Sequence, residues 1–331
     1  MIYTDSAQAA PAVAAMLKDA QRILVLSHVN PDGDAIGSML GVWHALNDMG
    51  KTALPLASSA MPAMVNVLPG IEHVQVYEPG RALPDVDLIW MVDTASLARV
   101  GRIYEDHAAR LEAHPLVIVD HHETNTGGGN VNFIDAHAAS SAELVYTLLR
   151  AMDAPLSAAA ATALLMGLTT DTQSFQTSST RPDSLRIAAD LIEAGADQQA
   201  IVRAVYYGTP YGTVTLLGQS LSHLQREGAL VWTHISRAMQ EQTAAPDDAY
   251  DDVVHLMQRI EGVRVCALFK ERPDGHIKIS LRSTPGINVA TITKIWGGGG
   301  HAQAAGATLE MGLEAAQEAV LPHLRAALAG W

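Results

Sequence analysis

The stretch HVNPDGDAIGS, residues 28–38, sets one histidine and two aspartates around a turn-forming proline and glycine. It overlaps the end of RILVLSHV, residues 22–29, an apolar run that predicts a buried strand. Asp32 and Asp34 would then lie at the end of that strand, where burying carboxylates costs free energy unless a cation compensates. The stretch therefore predicts a cation-binding site at the end of a buried strand.

The bulk composition predicts two packed domains without long disordered segments. Of 331 residues, 48% are apolar and 17% are charged, and the length fits two domains better than one. The formal net charge of −14, from 21 basic and 35 acidic residues, argues against general electrostatic binding to long nucleic acids. A short anionic substrate stays compatible with the sequence, because residues 259–294 carry seven Lys or Arg against three acidic residues.

The sequence also indicates where the protein acts. Its single cysteine, Cys266, excludes a disulfide within the chain and is typical of a small buried residue on a strand, which suits a reducing cytoplasm. The first residues lack a basic start followed by an apolar run, so no signal peptide is expected. No stretch approaches the roughly 18 consecutive apolar residues of a membrane helix. We therefore expect a cytoplasmic protein without a membrane partner.

Apolar runs alternate with helical periodicity through the first half of the chain. Strands are predicted at 22–29, 52–58, 86–94 and 115–122. Because these runs are apolar nearly throughout, they favour a parallel sheet covered by helices on both faces. We expect an α/β fold with an N-terminal parallel-sheet domain (1–190), a helical linker (191–224) and a smaller C-terminal α/β domain with a mixed sheet (225–331). The active site is expected in the cleft between the domains.

Four polar clusters end apolar segments. They are His28-Asp32-Asp34 after the first strand, Asp93 after the third, Asp120-His121-His122 after the fourth, and Asp171 in GLTTDTQSF. Because the loops at the carboxyl edge of a parallel sheet converge, we expect these side chains to meet at one place. Helix capping explains each aspartate taken singly. It does not explain four such clusters together, least of all adjacent histidines at a buried strand end.

Two imidazoles and four carboxylates could together hold two divalent ions. Asp93 would be the natural bridging ligand, since it stands alone at the middle of the set. Such ligands favour Mn²⁺, with Mg²⁺ or Co²⁺ as substitutes, and the lack of clustered thiolates argues against a structural zinc site. Two ions about 3.5–4 Å apart would activate water and neutralise charge on a phosphoryl group. We therefore expect two Mn²⁺ per active site.

Two further motifs lie in the second half of the chain. The run GGGGH, residues 297–301, could form a concave nest of backbone N–H groups for an anion, with His301 donating to a phosphate. The alternative is a turn before a final strand. Arg282, in SLRS at a predicted strand end, could bind a phosphate through two parallel hydrogen bonds, and the alternative is an exposed strand residue.

In order and spacing, HVNPDGDAIGS, MVDT, VDHH and GLTTDTQSF resemble the four motifs of the DHH phosphoesterases. SLRS followed by GGGGHAQAAGAT resembles the signature of the C-terminal domain that accompanies many of them. The resemblance covers nearly the whole chain, and the length and two-domain plan look most like the bacterial nano-RNase and pAp-phosphatase group. The chain departs from that group at Gln176, where arginine is common after Phe175, and at Ala136-His137, where an Asp-Pro pair is frequent.

The resemblance implies roles for individual residues. One metal would be held by His28, Asp32 and Asp93, and the other by Asp34, Asp93, His121 and Asp171. The catalytic residues would be Asp93, His122 facing the scissile phosphate, and Asp120 orienting a neighbouring imidazole. Substrate would be bound by His122 and, from the C-terminal domain, by Arg282, Ser283, Gly299, Gly300 and His301.

The resemblance also implies a reaction. Short RNA or DNA oligonucleotides and linear dinucleotides would be hydrolysed to 5′-mononucleotides, and pAp would lose its 3′-phosphate. The main alternative is a cyclic-dinucleotide phosphodiesterase of the same family. Less favoured are a RecJ-type exonuclease, which is typically longer, a pyrophosphatase, which has a different second domain, and a non-catalytic nucleotide-binding regulator, which would lack metal ligands. A homodimer is compatible with the sequence.

Overall fold

A change of sheet type divides the chain into two parts. The computed structural model describes residues 1–247 and 249–329, which fall into two compact units, Met1–Gly208 and Thr209–Trp331. The first unit carries a seven-stranded sheet and the second a six-stranded sheet. The boundary lies within residues 191–224, the segment that the sequence assigns to a linker. Among the described residues, no helix is both long and apolar enough to cross a membrane.

Every strand pair in the sheet of the first unit is parallel. Its order is β1-β7-β6-β5-β2-β3-β4. The strands are β1 (Ile2–Tyr3), β2 (Arg22–Leu26), β3 (Thr52–Ala57), β4 (Gln75–Val76), β5 (Leu88–Val92), β6 (Leu116–Asp120) and β7 (Val131–Ile134). All residues of β5 and β6 are buried, as expected for strands covered on both faces.

Helices cover both faces of this sheet. They are α1 (Ser6–Asp19), α2 (Gly33–Asp48), α3 (Arg102–Glu112), α4 (Ser141–Ala151), α5 (Ala158–Asp171), α6 (Pro182–Glu193) and α7 (Gln198–Tyr206). Short 3₁₀ helices span Ala63–Val67, Ile71–His73 and Leu97–Val100. The larger core contains Trp90, and a second core contains its strand neighbours Ile89 and Met91. Because neighbouring strand residues point to opposite faces, the two cores lie on opposite sides of the sheet.

Helices α2 and α5 pack with almost no space between their backbones. Gly33, Gly37 and Gly41 recur every fourth residue of α2 and so share one face. A Cβ atom at Gly37 would lie 2.4 Å from the carbonyl oxygen of Ala163 and 2.8 Å from the nitrogen of Gly167. Gly33 lies opposite Thr170, which places the first turn of α2 beside the last turn of α5. The close packing therefore fixes the end of α5, where Asp171 lies, next to the start of α2, where Asp34 lies.

The second unit contains the mixed sheet, with order β12-β13-β11-β10-β9-β8. Its strands are β8 (Gln225–Glu227), β9 (Leu230–Ile235), β10 (Val265–Glu271), β11 (Ile277–Ser283), β12 (Gly299–His301) and β13 (Ala304–Leu309). Only β9 and β10 pair in parallel. The helices are α8 (Tyr211–Ser222), α9 (Arg237–Thr243), α10 (Tyr250–Gln258), α11 (Ala290–Thr293) and α12 (Leu313–Ala329), with a 3₁₀ helix at Lys294–Trp296.

The predicted fold class, a parallel-sheet α/β unit followed by a smaller α/β unit with a mixed sheet, is confirmed. The predicted burial of Cys266 on a strand is confirmed too, since this residue lies in β10 and is 1% exposed.

Candidate metal centre

The carboxyl ends of β2, β5 and β6 bring histidines and aspartates around one buried carboxylate, that of Asp93. His28 Nε2 lies 3.2 Å from Asp93 Oδ2. His121 Nε2 lies 3.5 Å from Asp93 Oδ1 and 3.5 Å from Asp171 Oδ2. His122 Nδ1 lies 3.7 Å from Asp93 Oδ1. Residues that are distant in the sequence therefore meet at one edge of the sheet.

Three groups of side chains in the described part of the chain offer ligand atoms within 4.8 Å of one another. The groups are His28, Asp32 and Asp93; Asp34, His121 and Asp171; and Asp93, His121 and His122. All six residues that the sequence suggested as metal ligands belong to them. Asp93 and His121 each occur in two of the groups.

The backbone at Asp93 has an uncommon conformation. Its φ of 52° lies in the left-handed region, which non-glycine residues adopt at a cost and which recurs at functional sites. The backbone N–H of Asp93 donates to the carbonyl of Val119 at 3.0 Å, and the hydroxyl of Ser141 donates to Asp93 Oδ1 at 3.0 Å. These two bonds hold the turn that points the Asp93 carboxylate toward the histidines.

The two aspartates of the first motif have different partners. Asp32 is the N-cap of α2, and its Oδ1 accepts from the backbone N–H groups of Asp34 and Ala35 at 2.9 and 3.0 Å. Asp34 lies in the first turn of α2 and is 1% exposed. Its two oxygens accept from the N–H groups of Ser141 and Ala142, at 2.7 and 3.0 Å. The amino end of α4 therefore binds the Asp34 carboxylate.

All three histidines are held through Nδ1. In His28, Nδ1 donates to the carbonyl of Val29 at 2.9 Å. In His121 it donates to the carbonyl of Ala138 at 3.4 Å, and in His122 it donates to Asp120 Oδ1 at 2.7 Å. Metal-binding histidines typically have one ring nitrogen fixed by a protein acceptor in this way. Nε2 is the nitrogen left to bind a ligand, and in His28 and His121 it faces the carboxylates.

Asp120 connects His122 to the interior. Its side chain is fully buried, and its second oxygen accepts from the amide of Asn125 at 2.6 Å. The hydrogen bond from His122 to Asp120 raises the pKa of His122 despite the opposing effect of burial. The buried Asp120 carboxylate is therefore the hydrogen-bond partner of the His122 imidazole.

The protein alone does not balance the charge of the carboxylates. Burial, together with the charges of Asp93 and Asp171, holds the pKa of Asp34 well above its usual range. Burial also raises the pKa of Asp171 to about 6, because the attraction of His121 is smaller than the combined effect of burial and its acidic neighbours. The pKa of Asp93 is lowered, since hydrogen bonding and charge from the histidines outweigh its burial. Divalent cations would supply the missing positive charge, so the residues fit a metal site.

Two residues that hold side chains of the site were not predicted from the sequence. Ser141 donates through both its backbone N–H and its hydroxyl to proposed metal ligands, and Asn125 supports Asp120. In the sequence, Ser140-Ser141 before an apolar helix is typical of an ordinary N-cap, and Ser140 indeed has that role. Asn125 carries no sequence signal beyond its place in the loop after DHH.

In the second unit, Arg282, Ala304 and His301 lie in one cross-strand row. Directly paired residues share a face, so the Arg282 and His301 side chains point to the same side of the sheet, from backbones about 10 Å apart across two strand spacings. Ser283 follows Arg282 and points to the opposite face, where its hydroxyl donates to the carbonyl of Ile287 at 2.6 Å. Gly299 and Gly300 are paired in β12, so they form an exposed edge strand instead of an open nest.

Comparison with known proteins identifies the family of both units. The family model for the N-terminal domain of the DHH family matches residues 22–168, and the model for the DHHA1 domain matches residues 235–330. The chain is 34% identical to the bifunctional oligoribonuclease and PAP phosphatase NrnA of Thermus thermophilus, over 95% of this chain and 92% of that protein. It is 28% identical to the cyclic-di-AMP phosphodiesterase PdeA of Listeria monocytogenes, over 88% of this chain but 45% of that protein.

A solved structure extends the comparison to the fold. A crystal structure of an exopolyphosphatase-related protein from Bacteroides fragilis matches with a TM-score of 0.83, at 24% identity, covering 98% of this chain and 96% of that one. The likeness shows a shared fold along nearly the whole chain. Since both domain models match and the Thermus relative is 34% identical over nearly the whole chain, the chain belongs to the DHH family of phosphoesterases.

Proposed function

We propose that the protein hydrolyses short oligonucleotides and linear dinucleotides to 5′-mononucleotides, and removes the 3′-phosphate of pAp. The observation that carries this proposal is the cluster of histidines and carboxylates around Asp93. The name of the Thermus relative supports the substrate class, because that relative aligns with 95% of this chain.

The second candidate is hydrolysis of a cyclic dinucleotide. It is supported by the Listeria phosphodiesterase, whose aligned part is less than half of that protein. Since both candidates use the same phosphodiester chemistry, the metal centre does not separate them. The greater identity to the Thermus relative, over nearly its full length, favours the first candidate.

The proposed metal ligands are the residues of the three groups other than His122. His28, Asp32 and Asp93 would hold one ion, and Asp34, Asp93, His121 and Asp171 the other. Two bound Mn²⁺ ions, or Mg²⁺ or Co²⁺ in their place, supply activation of a water molecule and neutralisation of phosphoryl charge. The chain itself contributes the shared carboxylate, the anchored imidazoles and the α4 amino end that binds Asp34.

His122 would act on the substrate. Its Nδ1 is fixed by Asp120, so its Nε2 can donate to an oxygen of the scissile phosphate while the imidazole stays protonated. The pKa of His122, raised by Asp120, favours that protonated form. This role is electrostatic, because the donated hydrogen bond strengthens as negative charge grows on the phosphoryl oxygens.

We assign catalysis to residues 1–190 and substrate binding to residues 225–331, with 191–224 as the connection. Arg282 and His301, on one face of the mixed sheet, would bind a second phosphate or the terminal nucleotide, with Gly299 and Gly300 contributing backbone N–H groups. Ser283 would support this region through its bond to the Ile287 carbonyl. We further propose that the enzyme acts in the cytoplasm and that it can form a homodimer.

The test is a substrate panel with Mn²⁺: di- to pentanucleotide RNA, a long RNA, pAp and cyclic di-AMP. The proposal predicts hydrolysis of the short RNAs and pAp, with little activity on the long RNA. Asp93→Asn should reduce activity at least about 10³-fold, whereas the exposed Asp48→Asn should match the wild type. A preference for long RNA would contradict the proposal, and a preference for cyclic di-AMP would favour the second candidate.

A further inference from the structure

Arg99 is an unpaired cation next to the metal centre. It lies in the 3₁₀ helix Leu97–Val100, which follows β5 and Asp93 along the chain, and its side chain is exposed. Within residues 1–247 and 249–329, its guanidinium makes no hydrogen bond and no ion pair. Two other arginines of the unit are paired: Arg102 lies 2.9 Å from Asp106, and Arg181 lies 2.6 Å from Glu143.

The backbone around Arg99 is fixed by the loops that follow β2 and β3. Its carbonyl accepts from the N–H of Val29 at 2.9 Å, and the next carbonyl, of Val100, accepts from the Ser58 hydroxyl at 2.6 Å. Gly101 has a φ of 64°, and a Cβ atom there would lie 3.2 Å from Val29 Cβ. Val29 directly follows the proposed ligand His28. The Arg99 side chain therefore extends from a backbone that is held against the metal centre.

Electrostatics place the Arg99 charge close to His122. The two side chains are near enough for their charges to interact. Although five aspartates surround the centre, none of them forms an ion pair with Arg99 in the described residues. Its charge and its donors are thus available to a ligand. A ligand that faces both His122 and a guanidinium would be an anion with several oxygens.

We propose that Arg99 binds the scissile phosphate of the substrate, on the side that faces His122. The inference rests on the proposed function, because it takes a phosphoester as the ligand. The guanidinium can donate two parallel hydrogen bonds to two phosphoryl oxygens, which a lysine cannot do. Arg99 would thereby add positive charge on the substrate side of the centre, where the ligands themselves are acidic.

The test uses bis(p-nitrophenyl) phosphate, whose single phosphate is the scissile one. Arg99→Ala should lower kcat/KM about 10- to 100-fold, and Arg99→Lys should recover part of the loss. Arg81→Ala is the matched control, because the Arg81 side chain is exposed and its guanidinium has no ion pair among the described residues. Arg81 lines a cavity of about 660 Å³, and no residue of the metal centre lines that cavity. Calorimetry should show unchanged Mn²⁺ affinity for Arg99→Ala and a dissociation constant for 5′-AMP raised about 10-fold.

The outcomes separate this inference from the proposed function. Wild-type kcat/KM and 5′-AMP affinity in Arg99→Ala would overturn the role of Arg99 and leave the proposed function intact. Loss of Mn²⁺ affinity in that variant would also overturn it, because Arg99 would then support the metal ligands instead of the substrate. A wild-type enzyme that hydrolyses no phosphoester would overturn both.

Discussion

Asp171 and Asp93 both face His121, yet the metal-free protein should respond to their removal in opposite ways. Burial first, and then the charges of Asp93 and Asp32, raise the pKa of Asp171 to about 6, against the attraction of His121. Asp93 is also buried, but its histidine neighbours hold its pKa below the usual value. Asp171→Asn therefore removes a costly charge, and Asp93→Asn removes a stabilising one.

The size of the Asp171 effect follows from its pKa. A rise from 3.8 to about 6 costs the metal-free protein up to about 3 kcal/mol at pH 8. Solvent screening reduces that figure, because 28% of the side chain is exposed. The cost is absent below about pH 4, where the carboxyl is protonated in both states; it grows between about pH 4 and pH 6 and is constant above that range. With a gain of about 1–3 kcal/mol, Asp171→Asn should raise the melting temperature at pH 8 by roughly 2–10 °C.

Differential scanning calorimetry with EDTA, repeated with Mn²⁺, measures the effect. In EDTA at pH 8, Asp171→Asn should melt above the wild type and Asp93→Asn below it, and the Asp171→Asn advantage should shrink as the pH falls toward 4. With Mn²⁺ the order of the melting temperatures should reverse, so that the wild type melts above Asp171→Asn, because only the wild type keeps every metal ligand. Mn²⁺ at a concentration of 100 times its Kd adds about 2.7 kcal/mol to the free energy of unfolding. A lower melting temperature for Asp171→Asn than for the wild type, in EDTA at pH 8, would show that the Asp171 charge does not destabilise the metal-free protein.

Two further substitutions test the support of the site. Ser141→Ala removes the hydroxyl that donates to Asp93, and should weaken Mn²⁺ binding about 10-fold in isothermal titration calorimetry. Unchanged Mn²⁺ affinity would show that this hydroxyl does not support the metal ligand. Gly37→Ala sets a methyl group against the carbonyl of Ala163, so it should lower the free energy of unfolding by about 1–3 kcal/mol in urea titrations. Gly218→Ala is the control, because Gly218 is also inside a helix but has no atom within 4 Å of the added Cβ. It should leave the free energy of unfolding unchanged or raise it by up to about 1 kcal/mol. Equal effects of the two substitutions would contradict the close packing of α2 against α5.

The strands of the first sheet could be predicted because their apolar runs are nearly continuous. Where the prediction extended too far, the site explains the difference. The first strand is predicted to reach residue 29 but ends at Leu26, because His28 turns toward Asp93 and Val29 bonds to the Arg99 carbonyl instead of a sheet neighbour.

Short edge strands could not be predicted. β1 and β4 contain two residues each, too few for a periodic signal. In β7 the apolar pattern is interrupted by Asn132, which is buried because it bonds to Met1 and to the preceding glycine turn. The glycine run 297–301 gave a similar ambiguity. Gly300 lies against β13, where a Cβ atom would meet the carbonyl oxygen of Ala304 at 2.4 Å, so the run continues the sheet.

The site was predictable where residues follow strands, since one rule places all carboxyl ends at the same edge. The rule does not extend to Asp171, which ends a helix. Its place depends on the Gly33, Gly37 and Gly41 series, a spacing visible in the sequence that the strand-based reasoning did not use. Ser141 was beyond prediction, because a serine that binds two ligands and a serine that caps a helix have the same sequence pattern.

We infer that these acids and histidines converge because cations lie among them. Anomalous diffraction at the manganese edge, from a crystal grown with Mn²⁺, would locate those cations. We expect two peaks on either side of the Asp93 carboxylate, one bounded by His28 and Asp32 and the other by Asp34, His121 and Asp171. Manganese bound at full occupancy elsewhere on the protein surface, with no anomalous peak at Asp93, would contradict this inference.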